Sequence, residues 1–261
     1  MSNPKIVVTC GWRYEPEWLV EEMKENLSWA YDFAILDDRD REELWINEYE
    51  YRLKTRELAI SKGAEWILVT SPDERFEKDA EQKIMAGIMK NQGRGDVMFQ
   101  FDLREMFSPT AYRVDGIWGK KKRIRLYPVR PEQQYLNKRI QTHPFPIGND
   151  GAPLYPIIDL GVNIYHLKMI EPGNRTERTK VFKALDPYRQ FQQIGYDYLD
   201  NEIGMQLATI KRGREYSPPY RKYIFKAGDT PLDKLKKISG IATAKKNKDK
   251  INEIIGIMKN D

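Results

Sequence analysis

The chain has 261 residues, 40% hydrophobic and 32% charged, with a formal net charge of +5 and a sequence pI of about 9.0. This length suits one large α/β domain, alone or with a small appendage, and the basic balance favours anionic partners: phosphates, nucleotides, nucleic acid or acidic membrane surfaces. Cys10 is the only cysteine, which excludes an intrachain disulfide. No stretch approaches the roughly 20 apolar residues of a membrane span, and the start Met-Ser-Asn-Pro-Lys lacks the long apolar core of a signal peptide, so the expected location is the cytoplasm.

Ile6-Val7-Val8-Thr9-Cys10 predicts a first strand that stops at Gly11. Leu19, Met23 and Leu27 then recur every four residues, the spacing of an amphipathic helix. Phe33-Ala34-Ile35-Leu36 predicts a second strand running into Asp37-Asp38-Arg39-Asp40. A helix is expected over 44–62, closed by Gly63. Residues 66–69 read as a strand buried on both faces, ended by Pro72, with Asp73 and Glu74 just beyond it. A helix over 77–90 and a strand over 97–101 follow.

Repeated β-α-β-α units predict an α/β fold with a mostly parallel sheet and helices on both faces. Three strand ends then share one edge: Cys10-Gly11, Asp37-Asp38 and Ser71 to Glu74. Open α/β sheets bind ligands at that edge.

On the helix over 44–62, Trp45, Tyr49, Leu53 and Ile60 fall on one face, and Arg52 and Arg56 project onto it too. Either both stems lie along apolar surface, or a guanidinium reaches an anion. Residues 119–123 form a basic turn before a strand over 124–127, and 141–156 read as a Pro-rich loop able to act as a lid. From Pro231 onward the pattern is that of two short basic amphipathic helices.

Asp73 and Glu74 offer hard oxygen ligands for a divalent cation, or acids in the first turn of a helix. Asp37, Asp38 and Asp40 stand where acids accept hydrogen bonds from a ribose or a base. The only histidines are His143, in the Pro-rich loop, and His166, after the apolar run Val162-Asn163-Ile164-Tyr165. His166 reads as a structural hydrogen-bonding residue, a metal ligand or a phosphate contact.

Over residues 5–225 these elements together resemble glycosyltransferase family 2. The resemblance rests on Val8-Thr9 with Arg13-Tyr14-Glu15, Leu36-Asp37-Asp38, Arg56 with Ala59, Gly63 to Leu68, Asp73-Glu74-Arg75, Arg125-Leu126-Tyr127, Tyr165-His166 with Arg175 and Arg178, Leu185-Asp186-Pro187 and Gly195 to Leu199. The branch resembled is that of small bacterial and phage enzymes.

The resemblance implies a GT-A-like open mixed sheet with a small C-terminal helical appendage. Residues 1–228 would be the catalytic domain, with 1–108 as the nucleotide-binding half and 109–228 as the acceptor half. Residues 229–261 would be a basic helical tail. The implied activity is transfer of a sugar from a nucleoside-diphosphate-sugar donor to an acceptor hydroxyl, with inversion and with a divalent cation, Mn²⁺ or Mg²⁺. Thr9, Glu15, Asp38, Arg56 and Ser71 would bind the donor, and Asp73 and His166 the metal.

Ser71 stands where the family has the first acid of its D-x-D motif, so one carboxylate is present where two are usual. The His-Glu pair of one branch is here His143-Pro144. The catalytic base is therefore open among His143, Asp115 and Asp159, with Glu74 as a further possibility. The positive charge suits an anionic glycan, a lipid-linked acceptor or nucleic acid, with peripheral contact to an acidic membrane surface. Two other readings stay open. One is a nucleotidyltransferase. The other is a non-catalytic nucleic-acid-binding protein using the basic stretches 120–125 and 211–222 with Tyr216, Tyr220 and Tyr223.

Overall fold

The computed structural model describes residues 3–39, 47–93, 95–138 and 142–224. The expected tail 229–261 lies outside the described residues, as do Trp45 and the first part of the helix predicted over 44–62.

The first strand, β1 (Ile6–Trp12), is flanked in the sheet by β2 (Asp32–Asp37) and β3 (Trp66–Val69), both parallel to it. Side chains alternate across β1, and that alternation sorts the helices. Ile6, Val8 and Cys10 share a core with Val20, Met23 and Leu27 from and just beyond α1 (Glu17–Asn26), and with Ile84 and Ile88 of α3 (Ala80–Asn91). Val7 faces the other way, into a core with Ala34, Ile67, Val69 and Ala59 of α2 (Glu48–Ser61). Helices thus cover both faces, as expected. Phe99 and Phe101 are fully buried in the first core. Truncating either to Ala would cost about 3–5 kcal/mol.

Local chemistry explains the ends of α2. Asn47 caps its start by accepting the Glu50 N–H at 3.2 Å. Past its end, Gly63 has φ +76°, a left-handed turn that other residues adopt with strain.

The expectation of a mostly parallel sheet is corrected. Beyond β3 lies β7 (Lys122–Pro128), antiparallel to β3 and to β5 (Met98–Ser108). β5 runs parallel to β8 (Ile157–His166), which in turn pairs antiparallel with the short β4 (Glu74–Phe76). β6 (Ala111–Arg113) folds back on β5, and β9 (Leu207–Thr209) on β6, both antiparallel. Among the described residues, only β1–β2, β1–β3 and β5–β8 are parallel pairs. Short links such as the one between β5 and β6 permit only antiparallel pairing, because a parallel return needs a long crossover. The sheet is mixed, and the fold is α/β.

Two further expectations change. Asp73 and Glu74 do not open a helix: Glu74 begins β4, and α3 starts only at Ala80. The strand predicted over 97–101 runs on to Ser108.

The chain divides into two compact units. The first comprises 1–170 and 204–221 and holds the whole sheet. The second, among the described residues, comprises 171–203 and 222–224 and contains α4 (Pro172–Leu185). Its hub is Asp186, which accepts the N–H groups of Gln190, Phe191 and Gln192 and the Tyr196 hydroxyl at 2.7 Å. Among the described residues, no helix is long and apolar enough to cross a membrane.

Candidate functional site

The site is built where β1, β2 and β3 end. After β1 the chain turns tightly. Glu15 accepts the N–H groups of Arg13 and Tyr14, each at 3.2 Å, and the Trp12 indole donates to the Glu15 carbonyl at 2.7 Å. Burial raises the Glu15 carboxyl above its ordinary range, Lys168 opposes this, and nearby Asp73 adds to it. Gly11 is needed just before the turn, because a Cβ there would stand 2.6 Å from the ring of Tyr51. The Arg13 guanidinium lies over that same ring at 4.8 Å.

Asp38, one residue past β2, is fully buried. Its Oδ2 accepts from Arg13 Nε at 2.8 Å, and its Oδ1 has no hydrogen-bond partner among the described residues. Burial pushes this carboxyl up to about 6, against the pull of Arg13. Thr9 is buried beside the end of β3, where its carbonyl accepts the Thr70 N–H at 3.0 Å.

The turn from β3 to β4 separates two neighbouring acids by role. Glu74 Oε2 accepts the Thr70 hydroxyl at 3.2 Å and the Ser71 N–H at 3.1 Å, and Oε1 accepts from the Arg125 guanidinium. Glu74 therefore holds the turn and is not placed to act as a base. Asp73, also buried, approaches His166, with Oδ2 3.4 Å from Nε2. The other ring nitrogen, Nδ1, lies 2.6 Å from Glu105 Oε2, and Lys121 donates to Glu105 Oε1.

Strand register makes this meeting possible. β8 places His166 opposite Glu74 on one side and Glu105 on the other. Burial alone would lower the imidazole's proton affinity. The Glu105 and Asp73 carboxylates outweigh it and raise the pKa to about 9. Two residues on, buried Lys168 donates to the Tyr14 hydroxyl, and its ammonium lies 4.3 Å from that ring's centroid. Burial opposes the lysine's charge, but Tyr14, Asp73 and Glu15 hold its pKa above the ordinary value.

No family model matches the chain, and no curated protein matches it.

Of the residues expected from the sequence, Thr9, Glu15, Asp38, Ser71, Asp73 and His166 fall at this one edge. Arg56 does not. Its guanidinium donates at 2.6 Å to the carbonyl of Arg130, just past β7, where Val129 pairs with Glu65 at the start of β3. That is the opposite end of the strands. His143 stacks on Phe145 at 4.8 Å between centroids, and burial with Lys138 and Arg123 lowers its pKa.

Asp115 accepts two bonds from Arg113, at 3.1 and 2.6 Å, and one from the Gln206 N–H; the Arg113 bond leads in holding its pKa low. Asp159 accepts from Lys122 and from the Gly161 N–H, which together outweigh burial and lower its pKa. None of these three expected bases bonds to Asp73 or His166. A carboxylate held low by an ion pair is a weak base near neutral pH.

Sequence reasoning missed Glu105 and Lys168. A signal for Glu105 existed. Phe99, Phe101 and Leu103 alternate with Gln100, Asp102 and Arg104, and Glu105 continues the buried stripe, 1% exposed. A carboxylate in register with core positions needs a buried partner. Lys168 carried no such signal, because it lies in a short 3₁₀ turn beyond β8.

Asp73 and His166 are the residues able to hold a divalent cation. Two ligands of one ion at about 2.1 Å stand roughly 3.0–3.4 Å apart. The observed separation of 3.4 Å fits that range. Among the described residues, no group of three or more His, Cys, Asp or Glu converges for a metal. Were a cation held here, these two side chains would be its donors among the described residues, with its other positions open to phosphate or water.

Proposed function

We propose that this protein is a GT-A glycosyltransferase of the family 2 type, which moves a sugar from a nucleoside-diphosphate donor to an acceptor hydroxyl with inversion. One observation carries the reading. Buried Asp38, whose Oδ1 has no hydrogen-bond partner among the described residues, follows β2, and Asp73, paired with His166, follows β3, the two strands that flank β1. On this reading an acceptor for a base or ribose group and a phosphate-binding end would share one edge, of the kind where open α/β sheets bind nucleotides.

The roles follow from chemistry. Asp38 Oδ1 accepts an N–H or O–H from the nucleoside. Lys168 places positive charge beside the leaving diphosphate, in a buried setting where charge acts strongly. A cation held by Asp73 and His166 would neutralise further charge on that diphosphate. In the transfer, a base takes the acceptor proton. The acceptor oxygen bonds to the anomeric carbon, and the bond from that carbon to diphosphate breaks with its electron pair going to the phosphate oxygen. His143 is the expected base that forms no ion pair among the described residues, and its lowered pKa keeps it neutral and able to accept a proton.

The test is a panel of nucleotide sugars, each scored for thermal shift and slow donor hydrolysis with Mn²⁺, with Mg²⁺ and with chelator. The expected result is stabilisation by one nucleotide class. Binding of no nucleotide or nucleotide sugar under any metal condition defeats the reading.

A further inference from the structure

Glu105 has no role in the site as read from the sequence, yet it is 1% exposed and stands at its centre. It does two things. It takes the Lys121 ammonium on Oε1, and it faces His166 Nδ1 at 2.6 Å with Oε2. The opposite ring nitrogen faces Asp73. A carboxylate, an imidazole and a second carboxylate thus lie in line, with the imidazole in the middle.

We propose that Glu105 is a positioning residue for a metal-binding histidine: it holds the proton on Nδ1 and aims Nε2 at a divalent cation shared with Asp73. The inference rests on the donor-site reading above and adds a residue to it. The physical reason is general. A ligating imidazole is oriented, and made a better donor, when its far N–H is held by a carboxylate. Without such a partner the ring rotates and its two tautomers compete.

The geometry also bears on which cation is taken. One oxygen and one imidazole nitrogen form a mixed donor set. Imidazole suits transition metals better than Mg²⁺, which is held by oxygen ligands and water. The site should therefore favour Mn²⁺ over Mg²⁺. Lys121 completes the device. By occupying Oε1, it leaves Oε2 as the oxygen that meets the imidazole.

The chain's two histidines make the test direct. Protein labelled with ¹⁵N in its imidazoles gives signals from His143 and His166 only. Mn²⁺ added without nucleotide should broaden the His166 signals, Nε2 first, and leave those of His143 sharp. Binding constants for Mn²⁺, read from the electron paramagnetic signal of the free ion, should weaken about 10–100-fold in Glu105→Gln, while Glu105→Asp, which keeps the charge, recovers part of the loss.

Unchanged Mn²⁺ affinity in folded Glu105→Gln overturns the proposal. So does a wild-type spectrum in which Mn²⁺ spares His166, a result that stands even if the variant does not fold. Nucleotide binding is scored separately by thermal shift. Nucleotide binding with an unaffected Glu105→Gln overturns the role of Glu105 and leaves the transferase reading standing. Mn²⁺ at His166 with no nucleotide binding has the opposite meaning.

Discussion

The Arg125 guanidinium donates to Glu74 Oε1 while Oε2 of the same carboxylate takes the Thr70 hydroxyl and the Ser71 N–H. Both partners are largely buried. Removing one leaves the other charge unpaired away from water, which typically costs about 3–5 kcal/mol. Glu74→Ala should therefore lower the unfolding free energy by about 3 kcal/mol in urea titrations. A loss below about 1 kcal/mol, in the range of an exposed pair, would mean that the turn does not depend on this contact.

Asp73, the neighbouring acid, should behave differently. Its side chain approaches His166 and the region assigned to the diphosphate. Asp73→Asn should reduce donor turnover about 100-fold or more and weaken Mn²⁺ binding, with a smaller effect on the urea midpoint than Glu74→Ala. Full turnover in Asp73→Asn would remove this residue from the donor site.

Lys168 tests the leaving-group side. Lys168→Met keeps the length of the stem and removes the charge. The expected result is a fall in kcat of about 100-fold with a smaller change in KM for the donor, because the charge acts most on the developing diphosphate. A rise in KM alone would assign Lys168 to ground-state binding.

Stability should fall with rising pH in a window set by His166. Its pKa in the folded protein, about 9, lies above the ordinary 6.5, so the folded state holds the proton more tightly. The stabilisation is complete below about 6.5 and is lost as pH rises through about 9. Asp38 has the same sign at lower pH, since its carboxyl is raised from 3.8 to about 6 and stability drops across that interval. Melting temperatures measured from pH 6 to 10 should converge for wild type and His166→Gln at the alkaline end. A constant difference across the series would refute the His166 assignment.

Asp115 and Asp159 already serve Arg113 and Lys122. Asp115→Asn and Asp159→Asn should each change transition-state stabilisation by no more than about 0.5 kcal/mol in kcat/KM. His143→Ala should lose more. A collapse of activity in either Asp variant, with the fold intact, would move the base to that residue.

Much of the candidate-site edge was legible because it follows from strand ends. Val7-Val8-Thr9, Ile35-Leu36-Asp37 and Leu68-Val69 announce buried parallel strands, and whatever follows each must lie at a common edge. That logic reached Asp38 and Asp73 directly, and it reached His166 through the apolar run before it. It failed for Arg56, because helical periodicity gives the face of a residue and not its height along the helix. The antiparallel half was also hidden. Whether β7 enters between β3 and β5 depends on long-range pairing, which no local pattern states. The alternation along β5 marked Glu105 as buried, but its partner was hidden: His166 is 61 residues away, and the β5–β8 register joins them.

That register has a consequence for how the candidate site arises during folding. β8 brings His166 between β4 and β5, so Asp73 and Glu105 reach it only after three strands distant in sequence have zipped together. Such pairings close large loops and form late. A shift of one residue along β8 would turn His166 to the opposite side of the sheet. The meeting of Asp73, His166 and Glu105 is consequently all-or-none with respect to assembly: partly folded chains cannot own half of it, and the two imidazole resonances would serve as a clock for the last step of sheet closure.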